Sequence, residues 1–169
     1  EKLAAKYDLF VLEDAAQGFG GEIRGQKAGS FGHVATTSFF PAKPLGCYGD
    51  GGAIFTKDVE MADLMKSIRI HGAGTDKYDN VRIGINGRLD TFQAAILLDK
   101  LAVFPEEVKK RNDVADYYIE NIPEPLKAPC IPEGYISSWA QFSIMAESNQ
   151  HRDFVINELQ DKNIPTAVY

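Results

Sequence analysis

The sequence is short of nearly everything that would mark a membrane, secreted or nucleic-acid-binding protein. Only two cysteines occur, Cys47 and Cys130, far apart and without C-x-x-C spacing. A disulfide framework or a zinc site is therefore not expected, nor is any other metal site, and a reducing cytoplasm is the expected compartment. No apolar run approaches the roughly 20 residues needed to span a bilayer, and no signal peptide is read at the start of the chain. A long basic run is also missing, and the formal net charge is −6. Neither nucleic acid nor an anionic membrane is then expected as the main partner. The pattern G-x-x-x-x-G-K-[ST] of phosphate-loop nucleotidases is absent too.

What is present is the composition of a soluble globular protein, 44% hydrophobic and 25% charged. A chain of 169 residues suffices for one domain or parts of two, and can bury roughly two thirds of its unfolded surface. Leu9-Phe10-Val11-Leu12, ending in Glu13-Asp14, predicts a buried parallel strand with polar residues at its carboxyl end. Gly18 to Gly32 is read as irregular, and Val34 to Phe40 and Ala53 to Thr56 as strands. Met61, Leu64, Met65 and Ile68 fall at helical spacing. Phe92 to Leu101 is apolar nearly all round, predicting a buried helix that Asp90 and Gln93 would cap. Pro105 to Ile122 reads as a second amphipathic helix with its proline in the first turn. Pro123, Pro125, Pro129 and Pro132 then mark a linker. Beyond it a strand is expected from Trp139 to Met145, a helix from His151 to Lys162 and a strand from Ile164 to Tyr169. The division is thus 1–122, the later part of a large domain with its exit helix, and 123–169, a linker and the beginning of a smaller one. Glu1 to Tyr7 reads as the tail of a helix and Ile164 to Tyr169 as a strand with nothing after it, so the chain is expected to be a fragment.

Three residues draw attention by their chemistry. Asp14 would sit at the carboxyl end of a parallel strand, where ligands bind in open α/β sheets. A carboxylate there can hold a pyridine nitrogen protonated, the condition for pyridoxal phosphate to act as an electron sink. Lys43 lies between Pro41 and Pro44 in a stiff, mostly apolar loop, where desolvation would favour a nucleophilic amine. Ser38 could offer its hydroxyl to a phosphate. Each has a plainer reading: a turn aspartate, a solvated lysine, a packed strand serine. The residues by themselves leave that choice open.

Longer blocks carry a resemblance. Glu13-Asp14-Ala15-Ala16-Gln17, Gly29-Ser30-Phe31-Gly32, the run from Ser38 to Gly46, Gly49 to Ala53, and Gly84-Ile85-Asn86-Gly87-Arg88-Leu89-Asp90 followed by Gln93-Ala94-Ala95 occur in this order. They resemble the signature of the DegT/DnrJ/EryC1/StrS sugar aminotransferases, from about Tyr7 to Leu101 and more loosely to Tyr169. The resemblance implies an α/β fold. The chain would be a fragment of a fold-type I pyridoxal-phosphate-dependent transferase, a mixed, mostly parallel sheet flanked by helices, with the start of a smaller α+β carboxyl-terminal domain.

The same resemblance implies roles. Lys43 would be the Schiff-base lysine and proton shuttle, Asp14 the partner of the pyridine nitrogen, Gln17 a neighbour of the ring, and Ser38 a ligand of the cofactor phosphate. Asn86 would reach the cofactor phosphate of a neighbouring subunit, making the enzyme a homodimer with shared active sites, and Arg88 would line that site toward the sugar. The implied reaction passes an amino group from L-glutamate, leaving 2-oxoglutarate, to a nucleotide-linked keto-sugar in surface polysaccharide or lipopolysaccharide synthesis. Ala140-Gln141 follow Trp139 where many members carry a histidine. That departure leans toward the branch acting on a UDP-linked 3-keto-N-acetylglucosaminuronate. Alternatives are an aminotransferase for a 4-keto-6-deoxy sugar nucleotide and an inactive structural or regulatory relative. The related dehydratases replace the lysine by histidine, which Lys43 contradicts. His33 is read as peripheral and not catalytic, and His71 as a structural hydrogen-bonding residue.

Overall fold

A computed structural model describes residues 2–76 and 78–169; Glu1, counted above with the first helix, lies outside them. The helices are α1 (Lys2–Tyr7), α2 (Val59–Arg69), α3 (Thr91–Asn121) and α4 (Asn149–Asp161), and the strands are β1 (Leu12–Asp14), β2 (Glu22–Ile23), β3 (Gln26–Lys27), β4 (Val34–Ser38), β5 (Gly52–Thr56) and β6 (Tyr135–Ile136). Among the described residues these form two three-stranded sheets, ordered β1-β4-β5 and β3-β2-β6. β1 and β4 are parallel, with Leu12, Glu13 and Asp14 opposite Val34, Ala35 and Thr36. β5 returns antiparallel to β4, so that Ser38 faces Gly52.

The core lies between the loop that leaves β4 and the middle of α3. Phe39, Leu45, Cys47, Leu97, Phe104 and Val108 form it, with Phe19, Ala53 and Leu89 packed around them. Phe19 stacks on Phe55 and Phe104 at 6.0 and 5.8 Å and meets Phe39 edge-on at 6.3 Å, geometries that aromatic quadrupoles favour. Gly20 is required beneath this stack: its φ is +94°, and a Cβ would lie 2.7 Å from the Phe104 ring.

Several local readings are corrected. The two helices expected to meet at Pro105 are one helix of 31 residues with Pro105 inside it. An interior proline costs about 3 kcal/mol. Burial of Phe104 and Val108 on either side of it returns about 1.5–3 kcal/mol each. The all-round apolar start of α3 is not buried: Leu97 is, but Phe92 and Leu98 are about 70% exposed, because only one face meets the core. Asp90 stands at the N-cap without a side-chain bond, and Gln93 accepts instead from the Tyr48 amide at 2.8 Å. The true side-chain caps are Asp58 on α2 and Ser148 on α4.

The expected buried strand from Leu9 shrinks to β1, with Leu9, Phe10 and Leu12 exposed, since β1 is an edge strand. Gly18 to Gly32 is not wholly irregular; it holds the β2-β3 hairpin. Arg24 and Gly25 turn it with φ of +49° and +84°, a two-residue turn with both φ positive, as hairpin twist demands. No strand forms from Trp139 to Met145. Trp139 has φ of +46°, which breaks an extended run, and only Met145 pairs, with Lys127. Ile164 to Tyr169 is irregular as well; among the described residues no strand lies beside it, and the Tyr169 hydroxyl accepts from Gln141.

Candidate active site

The parallel pairing of β1 and β4 puts their carboxyl ends at one edge of the sheet. Asp14 closes β1 opposite Thr36, and Ser38 ends β4 two residues further on. The Ala15 amide donates to Thr36 O at 2.8 Å, and the buried Thr37 hydroxyl donates to Ala15 O at 3.3 Å. The chain beyond Asp14 is thereby tied to the chain before Ser38. Asp14 is exposed; its Oδ1 accepts from the Ala16 amide at 2.9 Å, while Oδ2 has no partner among the described residues. The Ser38 Oγ accepts from the Phe40 amide at 3.2 Å, leaving its own proton to give away.

Lys43 rides on the loop between β4 and β5. This loop doubles back on itself: Phe39 N donates to Gly51 O, Cys47 N to Phe39 O and Lys43 N to Phe40 O, each at 2.8 Å. A Cβ on Gly46 would lie 2.6 Å from Pro41 O, so only glycine permits that approach. Pro44, Leu45, Gly46 and Cys47 are buried. Lys43 itself is half-buried, and its ammonium has no hydrogen-bond or ion-pair partner among the described residues. The two prolines and the buried run fix the backbone, and one free amine projects from it.

Gln17 follows Asp14 on the same turn, its side chain exposed and its carbonyl accepting from the buried Ser138 hydroxyl at 2.8 Å. Ser138 in turn leads into a clasp on α3. The Asn112 amide nitrogen donates to Ser137 O at 3.0 Å, Trp139 Nε1 donates to Asn112 Oδ1 at 3.1 Å, and Arg111 reaches Trp139 O at 3.2 Å. This clasp was not read from the sequence. Its elements lie 25 or more residues apart, beyond any local pattern.

Asn86 and Arg88 are not drawn into that cluster by any hydrogen bond among the described residues. Both are exposed, and Arg88 Nε donates to Asn86 Oδ1 at 3.0 Å. Their segment is held by its own chain: Ile85 N donates to Ile68 O, Gly87 N to Arg69 O, and His71 N to Ile85 O, at 2.8 to 2.9 Å. Gly84 does make a close backbone approach, since a Cβ there would lie 2.0 Å from the Gly72 nitrogen. His33 Nδ1 accepts from the Val11 amide at 2.9 Å. Among the described residues no cluster of potential metal ligands exists, and no helix is long and apolar enough to cross a membrane.

A model of the DegT/DnrJ/EryC1/StrS aminotransferase family matches residues 1–169. A UDP-2-acetamido-2-deoxy-3-oxo-D-glucuronate aminotransferase of Pseudomonas aeruginosa is 45% identical over 99% of this chain and 46% of its own length. The crystal structure of a DegT DnrJ EryC1 StrS aminotransferase from Brucella abortus superposes with a TM-score of 0.94 at 50% identity, over 99% of this chain and 44% of that one. NtdA from Bacillus subtilis, solved with bound cofactor PMP, superposes with a TM-score of 0.80 at 29% identity, over 96% of this chain and 38% of its own. The chain spans a little under half the length of these relatives.

Proposed function

The chain belongs to the DegT/DnrJ/EryC1/StrS aminotransferase family, and on that premise we propose that it forms the lysine-bearing part of an enzyme aminating a nucleotide-linked keto-sugar with pyridoxal 5′-phosphate. The reading is supported by Asp14 at the end of β1, Ser38 at the end of the neighbouring parallel strand β4, and Lys43 on the loop that leaves β4, its Nζ without a partner among the described residues. Their donor set matches the cofactor group by group. A carboxylate oxygen without a partner suits a protonated pyridine nitrogen, a hydroxyl with a proton to donate suits a phosphate, and an unpaired amine suits an aldehyde.

Pyridoxal phosphate, when bound, supplies the electron sink through which an amino group passes between two carbon skeletons. Asp14 keeps the ring nitrogen protonated by charge-assisted hydrogen bonding. Ser38 donates its hydroxyl proton to a phosphate oxygen, and Gln17 lies beside the ring. Lys43 would hold the cofactor through Nζ, and its amine would be the group that carries a proton between the donor and acceptor carbons. The donor is L-glutamate, leaving as 2-oxoglutarate. The protein works as a homodimer in the cytoplasm, where Asn86 reaches the neighbour's cofactor phosphate and Arg88 meets an acidic sugar. The identity with the Pseudomonas aeruginosa enzyme supports a UDP-linked 3-keto-N-acetylglucosaminuronate as acceptor, a sugar of surface polysaccharides or lipopolysaccharide.

The test uses the full-length protein with ¹⁵N-glutamate and mass spectrometry of the nucleotide sugar. The label should enter the 3-keto-uronate, and Lys43→Ala should abolish transfer. A preference for neutral 4-keto-6-deoxy sugars would refute the acidic-sugar assignment, and full transfer by Lys43→Ala would refute the mechanism.

A further inference from the structure

The loop carrying Lys43 is held from one side by its own backbone and from the other by α3. Lys100, 54 residues beyond Gly46, donates from Nζ to the Gly46 carbonyl. The same ammonium lies 5.4 Å from the centroid of the Tyr48 ring, within the distance at which a cation is attracted to an aromatic face. About two helical turns earlier, Gln93 accepts from the Tyr48 amide at 2.8 Å, and a Cβ on Gly49 would come within 3.0 Å of its Nε2. α3 thus grips the loop at Gly46 and Tyr48, immediately after the buried Pro44-Leu45 pair that follows Lys43.

Lys100 is half-buried, and no carboxylate pairs with it among the described residues. A lysine with only a surface role extends into water, whereas this one spends its charge on a backbone carbonyl and a ring. Gly46 packs closely on the same turn, since a Cβ there would lie 2.6 Å from Pro41 O and 2.7 Å from Phe40 O. A pull on the Gly46 carbonyl is therefore transmitted to the turn that starts at Phe40 and carries Lys43.

Resting on the assignment of Lys43 as the cofactor's lysine, we propose that Lys100 is a positioning residue that fixes the Lys43 loop in the conformation able to capture the cofactor. Lys100 takes no part in the chemistry; it acts through Gly46 and Tyr48. Arginine could make both contacts, having several donors and a planar group that stacks on aromatic rings. Methionine would keep the apolar stem and lose both.

The experiment strips cofactor from the full-length protein, adds pyridoxal phosphate, and quenches with borohydride at timed intervals. Peptide mapping then gives the rate at which Lys43 is labelled. Lys100→Met should slow labelling about tenfold, the effect of losing one charge-assisted hydrogen bond, with an unchanged melting temperature of the apoprotein. Lys100→Arg should recover most of the rate, and Tyr48→Leu, which removes the ring alone, should give a smaller slowing. Should Lys100→Met fail to fold, Lys100→Arg and Tyr48→Leu still decide: wild-type rates in Tyr48→Leu together with a tenfold loss in Lys100→Arg would overturn the proposal. Labelling of Lys43 at the wild-type rate in Lys100→Met overturns it alone. A label on another lysine in the wild-type protein overturns the Lys43 assignment and this inference with it.

Discussion

Replacing Asn112 by alanine should loosen the clasp that ties residues 137–142 to α3. The half-buried Asn112 side chain serves three groups: it donates to Val108 O at 2.8 Å and Ser137 O at 3.0 Å, and accepts from Trp139 Nε1 at 3.1 Å. Val108 O belongs to the helix and keeps its intrahelical partner, so its loss matters little. Ser137 O and Trp139 Nε1 have no other partner among the described residues. Leaving a buried polar group unpaired costs about 1–3 kcal/mol, and the partial exposure here argues for the lower end, about 2 kcal/mol for the two together. Trp139 also holds a left-handed backbone, φ +46°, which costs energy that the clasp offsets. Hydrogen exchange of the peptide spanning 135–142 in the full-length protein is the assay, because it reads local opening without requiring two-state unfolding. Exchange there should accelerate about thirtyfold, the equivalent of 2 kcal/mol. The peptide around Gln17 should accelerate less, since only the Ser138 hydroxyl bond reaches it. A change below about twofold at 135–142, with exchange elsewhere unaltered, would show that Trp139 is held by packing against Phe142 at 5.2 Å and that the hydrogen bonds are incidental.

Two further outcomes follow from close approaches and burial. Gly72→Ala should cost about 4 kcal/mol or more, because φ is +73° and the new Cβ would lie 1.8 Å from Arg82 O; a wild-type melting temperature would refute that. Under native conditions a thiol reagent should modify the exposed Cys130 and spare Cys47, whose Sγ lies 3.0 Å from both Phe39 O and Gly49 O. Peptide mapping after alkylation reads the result, and native labelling of Cys47 would mean that the Lys43 loop opens readily.

The sequence by itself determined the family, because the blocks around Asp14, Lys43 and Asn86 are contiguous and each carries its residues at fixed spacing. It also determined β4, β5, α2 and α4, whose propensities and periods are local. The tertiary structure alone decided that α3 runs unbroken through Pro105, since a proline signal favours a break unless burial on both sides of it outweighs the cost. Faces were decided there as well. Apolar runs at Leu9 and Phe92 read as buried, yet burial depends on what lies opposite, and among the described residues only Leu97 of the apolar side chains in α3's first turns is buried. The same holds for Trp139, where β-propensity over 139–145 lost to a hydrogen bond that its indole donates to Asn112, 27 residues away. The grip of Lys100 on Gly46 belongs to this class. A lysine in a helix carries no local sign of its partner, and only the packing of α3 against the loop brings 46 and 100 together.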